Sequence, residues 1–237
     1  IAIGTHGQTV RHRPKLRFSK QLDLGPLTAA LTGIDTVVDF RAADLAAGGD
    51  GAPLTPAFHQ MMLKHAYRDR YVLNLGGISN LTVIEKGGKV LAGFDCGPAN
   101  TLLDLSCRVL FNEPYDKDAK IASTGRVRKD WLYELLNHPY LKRDFPKSSG
   151  REDFNENTVK KYLNLVKNQE ASGADLLATL CEFSVKAVID EIIKIKEHFK
   201  NLKKGDLILC GGGAYNPLIK QRFEEYCRNL NLNVMRS

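Results

Sequence analysis

Hydrophobic residues follow two spacings along this chain, one typical of strands and one typical of helices. Continuous or alternating apolar runs predict six strands, at residues 1–3, 36–40, 71–75, 81–84, 90–94 and 206–210. Apolar residues at every third or fourth position predict seven helices, at residues 25–31, 56–65, 98–110, 129–136, 158–167, 174–199 and 217–229. Strands that alternate with helices in this way predict an α/β protein.

Residues 85–89, Glu-Lys-Gly-Gly-Lys, separate two of the predicted strands. Paired glycines adopt the positive φ angles of tight turns at little cost, so this segment predicts a β-hairpin. The two strands that flank it are then antiparallel, and the sheet is predicted to be mixed.

Three prolines, Pro56, Pro98 and Pro217, are each predicted to lie in the first turn of a helix, where a missing N–H costs nothing. A glycine turn comes directly before Pro98 and before Pro217. Because the first N–H groups of a helix are free and lie at the positive end of its dipole, these two helix starts could receive an anion.

Composition limits the kinds of protein that fit. The 237 residues are 43% hydrophobic and 26% charged, as in ordinary globular proteins. The formal net charge of +7 could indicate nucleic acid, but the basic residues are dispersed, apart from a group within residues 11–20. A basic surface suits an anionic small substrate equally well, so no nucleic-acid partner is predicted.

The five cysteines have no CxxC or metal-ligand spacing, which favours reduced thiols. No stretch reaches the roughly 18 apolar residues of a membrane span, and the start lacks the regions of a signal peptide. A cytoplasmic protein with no membrane partner is therefore predicted. The first residue is Ile1 rather than methionine, and both ends are expected to interrupt a strand, so the chain is interpreted as a fragment.

Three glycine-rich turns, each at the end of a predicted strand, carry the candidate chemistry. They are residues 74–80 (NLGGISN), 93–100 (GFDCGPAN) and 210–216 (CGGGAYN). The second turn places one carboxylate, Asp95, between a strand and a helix, where α/β enzymes keep their reactive groups. The chain lacks a GxxxxGK(S/T) loop, a GxGxxG turn after a strand and an HExxH motif. Bare glycine backbone in three turns suggests one large polar ligand.

Seven motifs occur in the order seen in one family of sugar kinases. They are residues 4–9 (GTHGQT), 32–41 (TGIDTVVDFR), 47–54 (AGGDGAPL), 74–80, 93–98 (GFDCGP), 149–155 (SGREDFN) and 210–216. On these motifs, essentially the whole chain resembles the anhydro-N-acetylmuramic acid kinases.

The resemblance implies a fold. The expected fold is that of the sugar-kinase, Hsp70 and actin superfamily, with two ribonuclease-H-like lobes whose mixed sheets are flanked by helices. Residues 1–40 would form part of a first, incomplete lobe. Residues 41–237 would form a second lobe, with a hinge near residues 41–55.

The resemblance implies an activity as well. A member of this family would use ATP to phosphorylate O6 of 1,6-anhydro-N-acetylmuramic acid while water opens the anhydro ring. The product would be N-acetylmuramic acid 6-phosphate, in cell-wall recycling. ATP and Mg²⁺ are the expected cofactors, the sugar and ATP are the expected partners, and a homodimer stays open.

The same match assigns roles to residues. Asp95 would activate the water that opens the ring. The second phosphate loop and the loop beside adenosine would supply the nucleotide contacts, from Asn74, Gly76, Gly77, Ser79, Asn80, Gly211, Gly212, Gly213 and Asn216. The sugar contacts would come from His6, Gln8, Asp39, Arg41, Gly97 and Pro98. No protein ligand for a metal is predicted.

Other interpretations of these residues stay open. Asp95 could instead cap the helix that follows it, because Asp is a favoured N-cap residue. Asp39 and Arg41 could form an ordinary ion pair at a strand end. His6 could satisfy loop carbonyls rather than contact sugar.

The function has alternatives too. Arg151, Asp153 and Asn155 could bind nucleotide or brace their lobe. The first phosphate loop, which the family carries near its amino terminus, is missing, so this fragment could be inactive. Another small-molecule phosphotransferase of the same superfamily, or a nucleotide- or sugar-binding relative without catalysis, would also fit.

Overall fold

The strands form three sheets in the computed structural model, which describes residues 1–49, 51–52, 54–149 and 152–237. They divide between two compact units, Ile1–Thr55 and Pro56–Ser237, which we call unit 1 and unit 2. Four of the six predicted strands, at residues 71–75, 81–84, 90–94 and 206–210, lie in unit 2.

Unit 1 contains two small sheets and two α-helices within its described residues. Its elements are β1 (Ile3–Gly4), β2 (Gln8–Arg13), β3 (Phe18–Leu22), α1 (Gly25–Thr32), β4 (Thr36–Val37) and α2 (Phe40–Ala46). β1 pairs with β4 in parallel, and β2 pairs with β3 as an antiparallel hairpin. The strand predicted at 36–40 is shorter than expected, because Asp39 turns the backbone into the left-handed region at φ 57° and α2 begins at the next residue.

The hydrophobic pattern missed α2 and also the β2–β3 hairpin of unit 1. The two strands of this hairpin, QTVRHR and FSKQL, are mostly polar, and only Gln21 among them is buried. A strand that buries no apolar face gives no alternating signal in the sequence. Backbone pairing and the turn at Pro14–Leu16, which ends with Arg17 at φ 50°, define this hairpin.

The division between the units falls after Thr55, at the end of the segment that was predicted as a hinge. Hydrogen bonds hold residues of this segment to one another. The Gly51 N–H donates to Asp44 Oδ2 at 2.7 Å, and the Arg41 guanidinium donates to the Gly51 carbonyl. These contacts hold Gly51 against α2, and α2 in turn contacts β3 of unit 1.

Unit 2 is built on one five-stranded sheet. Its elements are α3 (Thr55–Leu63), β5 (Asp69–Leu75), β6 (Ile78–Ile84), β7 (Val90–Pro98), α4 (Asn100–Phe111), α5 (Lys129–Leu136), α6 (Glu156–Lys167), α7 (Gly173–His198), β8 (Gly205–Cys210), α8 (Pro217–Asn229) and β9 (Leu232–Arg236). The strand order is β7-β6-β5-β8-β9, with antiparallel pairs from β7 to β5 and parallel pairs from β5 to β9. The mixed sheet flanked by helices confirms the predicted fold class, and the antiparallel β6–β7 pair confirms the hairpin at residues 85–89.

One face of this sheet carries the main hydrophobic core. Leu73, Leu81 and Phe94 point from the sheet into a cluster that includes Phe183 and Ile192 of α7. Helices α4, α5 and α8 pack against α7 on the same side. This thick layer holds the strands, and with them the turns at their ends, in fixed register.

The opposite face has a thinner cover, which α3 provides. Val72, Ile84 and Ile208 form a small cluster with Leu63 of α3. Buried His59 of α3 makes a 2.9 Å hydrogen bond between its Nδ1 and Thr82 Oγ1, and burial lowers the pKa of His59. Because side chains two positions apart on a strand share a face, Asn80 lies on this same face beyond Thr82.

Pro98 does not begin a helix, in contrast to the prediction. It pairs with Ile78 at the end of β7, and α4 starts two residues later, with Ala99 as its N-cap residue. The strand therefore continues through the glycine turn. Pro217, by contrast, lies in the first turn of α8 as predicted, directly after its N-cap residue Asn216.

Candidate functional site

Four neighbouring strands of unit 2 bring polar side chains to one level of the sheet. Asn74 on β5 pairs directly with Asn80 on β6 and with Cys210 on β8, and Asn80 pairs with Asp95 on β7. Directly paired residues face the same side of a sheet, so these four side chains form a row, which we call the polar row. All four are half-buried. The structure thus brings together three of the predicted site residues, Asn74, Asn80 and Asp95.

The carboxylate of Asp95 is held from two directions. Asn80 Nδ2 donates to Oδ1 at 2.9 Å. The Ser149 N–H and the Ser148 hydroxyl donate to Oδ2 at 2.9 and 3.2 Å. An ionised carboxylate has about four acceptor positions, so these contacts fix its orientation and leave one acceptor position on Oδ1.

The backbone of Asp95 is also held. Its N–H donates to the Lys147 carbonyl at 3.0 Å, and the Tyr140 hydroxyl donates to the Asp95 carbonyl at 2.6 Å. Burial, together with the charge of Asp95, raises the pKa of Tyr140, so its phenol remains a donor. The Lys147 ammonium is itself buried and donates to Glu191 Oε1 at 2.9 Å. Asp95 therefore lies on a braced segment.

Asp95 does not cap α4. The first N–H groups of that helix, at Ala99, Asn100 and Thr101, donate to the carbonyls of Gly77, Gly76 and Gly77 at 2.9, 3.0 and 3.1 Å. These bonds attach the turn at residues 76–77 to the start of α4. They also occupy the donors that were predicted to receive an anion at this helix.

The start of α8 is likewise occupied by a protein group. Asn216 Oδ1 accepts hydrogen bonds from the Leu218 and Ile219 N–H groups, both at 3.1 Å. Asn216, a predicted nucleotide contact, is thus the N-cap residue of α8. An anion at these turns would have to be bound by other donors than the first N–H groups of α8.

The first two glycines of the triple-glycine turn differ in how closely they approach the rest of the protein. Gly211 has φ 80°, and a Cβ on it would lie 2.4 Å from Asn74 Oδ1. A side chain at that position would therefore disturb the polar row. Gly212 differs, because a Cβ there would meet no atom within 4 Å. The turn packs closely on Asn74 at its first glycine and is open at its second.

Two pockets of about 450 Å³ each lie beside the glycine turns. Pocket A is lined by Gly212, Gly213, Asn216, Tyr115, Tyr215, Cys181, Leu103 and residues 116–118, together with Asn100 and Asp104. Pocket B is lined by Gly76, Gly77, Thr101, Leu105, Arg108, Phe154, Asn155 and Glu156, again with Asn100 and Asp104. Seven of the nine predicted nucleotide residues therefore line a pocket or lie in the polar row, counting Gly76, Gly77, Gly212, Gly213, Asn216, Asn74 and Asn80.

Three predicted residues are buried beneath this surface. Ser79 is fully buried, and its hydroxyl donates to the Gly97 carbonyl at 2.9 Å. Gly97 and Pro98 are buried as well. Their observed role is to join the ends of β6 and β7, which places the turn that carries Asp95.

Three of the four predicted residues of unit 1, His6, Gln8 and Arg41, have local side-chain partners, and the Asp39 side chain makes no hydrogen bond that caps α2. His6 Nδ1 lies 2.8 Å from the Gly7 carbonyl, in agreement with the interpretation that it satisfies loop carbonyls. Gln8 Nε2 donates to the Thr9 carbonyl at 3.5 Å. Asp39 precedes α2, and burial lowers the pKa of the Arg41 guanidinium, which bonds to Gly51. Arg41 therefore binds a carbonyl rather than forming a strand-end ion pair with Asp39.

The segment after Ser149 was predicted to bind nucleotide or to brace its lobe. Asp153 accepts a 3.1 Å hydrogen bond from Ser149 and pairs with Arg143 at 3.6 Å. Asn155 caps α6, where its side chain accepts from the Asn157 N–H at 2.9 Å. Both residues brace the segment, although Asn155 also lines pocket B. Arg151 lies outside the described residues.

Sequence reasoning missed three residues that contact Asp95, namely Tyr140, Lys147 and Ser148. It also missed Glu191, which pairs with Lys147. They come from segments that are distant in sequence, and none carries a motif of its own. Only the neighbouring Ser149 had a signal in the sequence, since it opens one of the seven motifs. Asp104, on the wall of both pockets, was also missed because it lies inside an ordinary amphipathic helix.

Within the described part of the chain, no group of three or more His, Cys, Asp and Glu side chains is placed to hold a metal ion. No helix in that part is both long and apolar enough to cross a membrane.

The fold and the site define an α/β protein in which glycine turns and a fixed carboxylate lie at the ends of sheet strands. The model of the family "Anhydro-N-acetylmuramic acid kinase" matches residues 1–236, and the chain belongs to this family. An anhydro-N-acetylmuramic acid kinase from Shewanella sp. (strain ANA-3) is 42% identical over 94% of the chain and 58% of its own length. One from Shewanella baltica (strain OS155 / ATCC BAA-1091) is 40% identical over 99% of the chain and 62% of its own length. The chain thus spans about three fifths of these curated relatives.

Solved structures with a similar arrangement are more distant. The activator of 2-hydroxyisocaproyl-CoA dehydratase from Clostridium difficile, with bound ADPNP, has a TM-score of 0.45 and 10% identity over 86% of this chain and 61% of its own. Component A of (R)-2-hydroxyglutaryl-CoA dehydratase from Acidaminococcus fermentans has a TM-score of 0.46 and 14% identity over 90% of this chain and 67% of its own. Neither likeness bears on function.

Proposed function

We propose that this chain provides the catalytic carboxylate and the nucleotide site of an ATP-dependent kinase of 1,6-anhydro-N-acetylmuramic acid. Membership of the family supports the substrate. The single observation that supports the chemistry is the carboxylate of Asp95, fixed by Asn80, Ser148 and Ser149. A reactive carboxylate must be held in this way to act on one water molecule.

The role of Asp95 follows from the bonds that change. A water oxygen forms a bond to C1 of the sugar while the C1–O6 bond breaks. O6 then bonds to the γ-phosphorus of ATP, whose bond to the β-phosphate oxygen breaks. The attacking water must lose a proton, and the free acceptor position on Asp95 Oδ1 would take it. The product is N-acetylmuramic acid 6-phosphate, as expected in cell-wall recycling.

The nucleotide would lie beside the glycine turns. Gly212, Gly213 and Asn216 line pocket A and suit the adenosine, whereas Gly76 and Gly77 line pocket B and suit the phosphates. Glycine lets backbone approach a ligand closely, and phosphoryl transfer requires mainly positioning and charge neutralisation.

Mg²⁺ would enter with the nucleotide and neutralise charge on its phosphates. The polar row fits this cofactor, because Asn80 Oδ1 is buried and accepts no hydrogen bond from any residue that the structure describes. Neutral oxygen atoms of this kind are ligands that Mg²⁺ prefers, directly or through its bound water. Asn80 would thus orient Asp95 with its amide nitrogen and face the ion or its water with its oxygen.

The remaining assignments are proposals of the same kind. The sugar would be bound by His6, Gln8, Asp39 and Arg41 of unit 1, with the backbone of residues 97–98 beside Asp95. Residues 1–40 and 41–237 would belong to two lobes, with a hinge near residues 41–55. We place the protein in the cytoplasm, and a homodimer remains a prediction.

A product assay tests the proposal. Purified protein with ATP, Mg²⁺ and 1,6-anhydro-N-acetylmuramic acid should yield the 6-phosphate, identified by mass spectrometry, with one ADP for each sugar opened. Asp95→Asn should lose about 100-fold or more in turnover, because the amide is not a base. Asp144→Asn, an exposed Asp of the same size, is the matched control. Turnover that survives in Asp95→Asn would remove this residue from its role.

A binding protein without catalysis is the second candidate, since pockets lined by glycine turns can hold a ligand without converting it. Calorimetry with ATP and with the sugar, run beside the product assay, distinguishes the two. A binding protein takes up each ligand and releases it unchanged, whereas the kinase converts both.

A further inference from the structure

Asp104 occupies an unusual position on α4. It lines pocket A and pocket B, and Asn100, one turn earlier, is the other residue that both pockets share. Asn100 is already engaged, because its Nδ2 donates to the carbonyls of Leu75 at 3.0 Å and Gly76 at 2.8 Å. The half-buried carboxylate of Asp104 accepts no hydrogen bond from any residue within the described ranges. The shared wall of the two pockets therefore carries one unengaged anionic group.

The surroundings of Asp104 make a carboxylate without hydrogen-bond donors energetically unfavourable. Burial raises the pKa of Asp104, and the charge of Arg108, one turn further along α4, opposes that rise. Arg108 itself is exposed, and its guanidinium donates to the Pro114 carbonyl at 3.4 Å rather than to Asp104. A partly desolvated carboxylate without donors is stabilised by any ligand that brings hydroxyl or N–H groups to it.

The order of the pockets indicates which part of a nucleotide reaches Asp104. The turn at residues 76–77 lines pocket B, and the turn at residues 212–213 lines pocket A, with Tyr115 and Tyr215 nearby as flat apolar surfaces. In a nucleotide the ribose links the base to the phosphates. If the base lies in pocket A and the phosphates lie in pocket B, the sugar ring passes the wall between them. Its two vicinal hydroxyls are donors that a carboxylate accepts in pairs.

We propose that Asp104 recognises the ribose of the bound nucleotide by accepting hydrogen bonds from its 2′- and 3′-hydroxyl groups, and so selects ribonucleotides over deoxyribonucleotides. This inference rests on the proposed function, in which the glycine turns bind ATP. It makes Asp104 a specificity-determining residue of the nucleotide site. Asp104 takes no part in proton transfer.

Calorimetric binding to the purified protein tests the proposal without any turnover. Wild-type protein should bind ATP at least about tenfold more tightly than 2′-deoxy-ATP or 3′-deoxy-ATP, since a hydrogen bond to a charged group is strong. Asp104→Ala should weaken ATP binding further, because both hydrogen bonds are lost, and should bind ATP and the two deoxynucleotides with affinities within about twofold of one another. The variant should therefore no longer distinguish the nucleotides. Glu113→Ala, an exposed acid just beyond α4, is the matched control.

Several results would overturn the proposal. Wild-type protein that binds ATP and both deoxynucleotides equally has no ribose recognition. An Asp104→Ala variant that keeps the wild-type discrimination assigns the ribose to another residue. Inosine triphosphate lacks the adenine amino group. If wild-type protein binds it more weakly than ATP and Asp104→Ala removes this difference, Asp104 binds the base instead of the ribose. Thermal melting of each variant shows whether it is folded. Absence of product in the kinase assay, with ribose discrimination intact, contradicts the proposed function and leaves Asp104 in its role.

Discussion

Asn80 and Asp95 lie directly opposite each other on antiparallel strands, and the Asn80 amide donates to the Asp95 carboxylate at 2.9 Å. This contact orients the proposed base from the sheet side, while the Ser148 and Ser149 donors hold the other oxygen. Asn80 is thus a positioning residue whose loss should affect turnover more than binding.

Asn80→Ala should lower kcat by about 10- to 100-fold and change the KM for the sugar little, because a misplaced base costs rate rather than binding. Asn137→Ala, an exposed Asn whose amide bonds only to its own helix, is the control. Steady-state kinetics of both variants check this. An Asn80→Ala enzyme with wild-type kcat would show that the serines alone suffice.

The adjacent glycines Gly211 and Gly212 offer a matched pair of substitutions. Gly211→Ala should destabilise the protein by about 1–3 kcal/mol, because the residue has φ 80° and its new methyl group would meet Asn74 Oδ1 at 2.4 Å. Gly212→Ala should leave the free energy of unfolding within about 0.5 kcal/mol, since the Cβ meets no protein atom within 4 Å.

Gly212 nevertheless lines pocket A, so Gly212→Ala should weaken ATP binding. Urea denaturation and calorimetry of the two variants separate stability from affinity. If Gly212→Ala binds ATP as tightly as wild type, the adenosine does not lie in pocket A.

The buried ion pair between Lys147 and Glu191 should contribute strongly to stability, because each buried charge neutralises the other. Both side chains are at most 3% exposed. Glu191→Leu leaves the Lys147 ammonium buried without a counter-charge and should cost about 3–5 kcal/mol, whereas Asp190→Asn, in the half-exposed pair with Lys186, should cost less than about 1 kcal/mol.

The double variant Lys147→Met/Glu191→Leu should recover much of this loss, since two apolar side chains need no compensation. Chemical denaturation measures all three. A double variant no more stable than Glu191→Leu would mean that the ion pair itself, rather than the stranded charge, sets the stability.

Asp206 should make stability depend on pH in the acid range. Burial of this carboxylate alone would raise its pKa, but the hydrogen bond from Arg68 and the charges of Arg70 and Arg68 outweigh burial and lower the pKa of Asp206. A carboxyl group with a lowered pKa in the folded state contributes stability above its unfolded pKa of about 3.9 and loses it as the pH falls through the folded value.

Asp206→Asn should therefore be less stable than wild type at pH 7, and the difference should shrink below about pH 4. Urea denaturation across this range checks the sign. A difference that stays constant with pH would mean that packing, rather than ionisation, determines the contribution of Asp206.

The sequence was sufficient to predict four of the five strands of the central sheet, whereas β9 was not predicted. β5, β6 and β8 are buried on both faces over much of their length, so their apolar runs are continuous, and the paired glycines between β6 and β7 indicated the turn. The candidate carboxylate could be found for a similar local reason, since Asp95 lies in a glycine-rich strand end.

The parts that could not be predicted depend on contacts between distant segments. Ser149 reaches Asp95 across 54 positions, and Lys147 reaches Glu191 across 44. Neither contact has a periodic pattern. Pro98 was misassigned to a helix because its fixed φ also suits the end of an edge strand, and the pairing with Ile78 decides between the two.

The hydrogen bonds from the first N–H groups of α4 to Gly76 and Gly77 join a loop to a helix so closely that neither can shift alone. Amide protons shielded by such bonds exchange with deuterated solvent only when the loop lifts away. Deuterium uptake by peptides that contain Ala99, Asn100 and Thr101, measured by mass spectrometry, therefore reports how often the loop opens in the native protein.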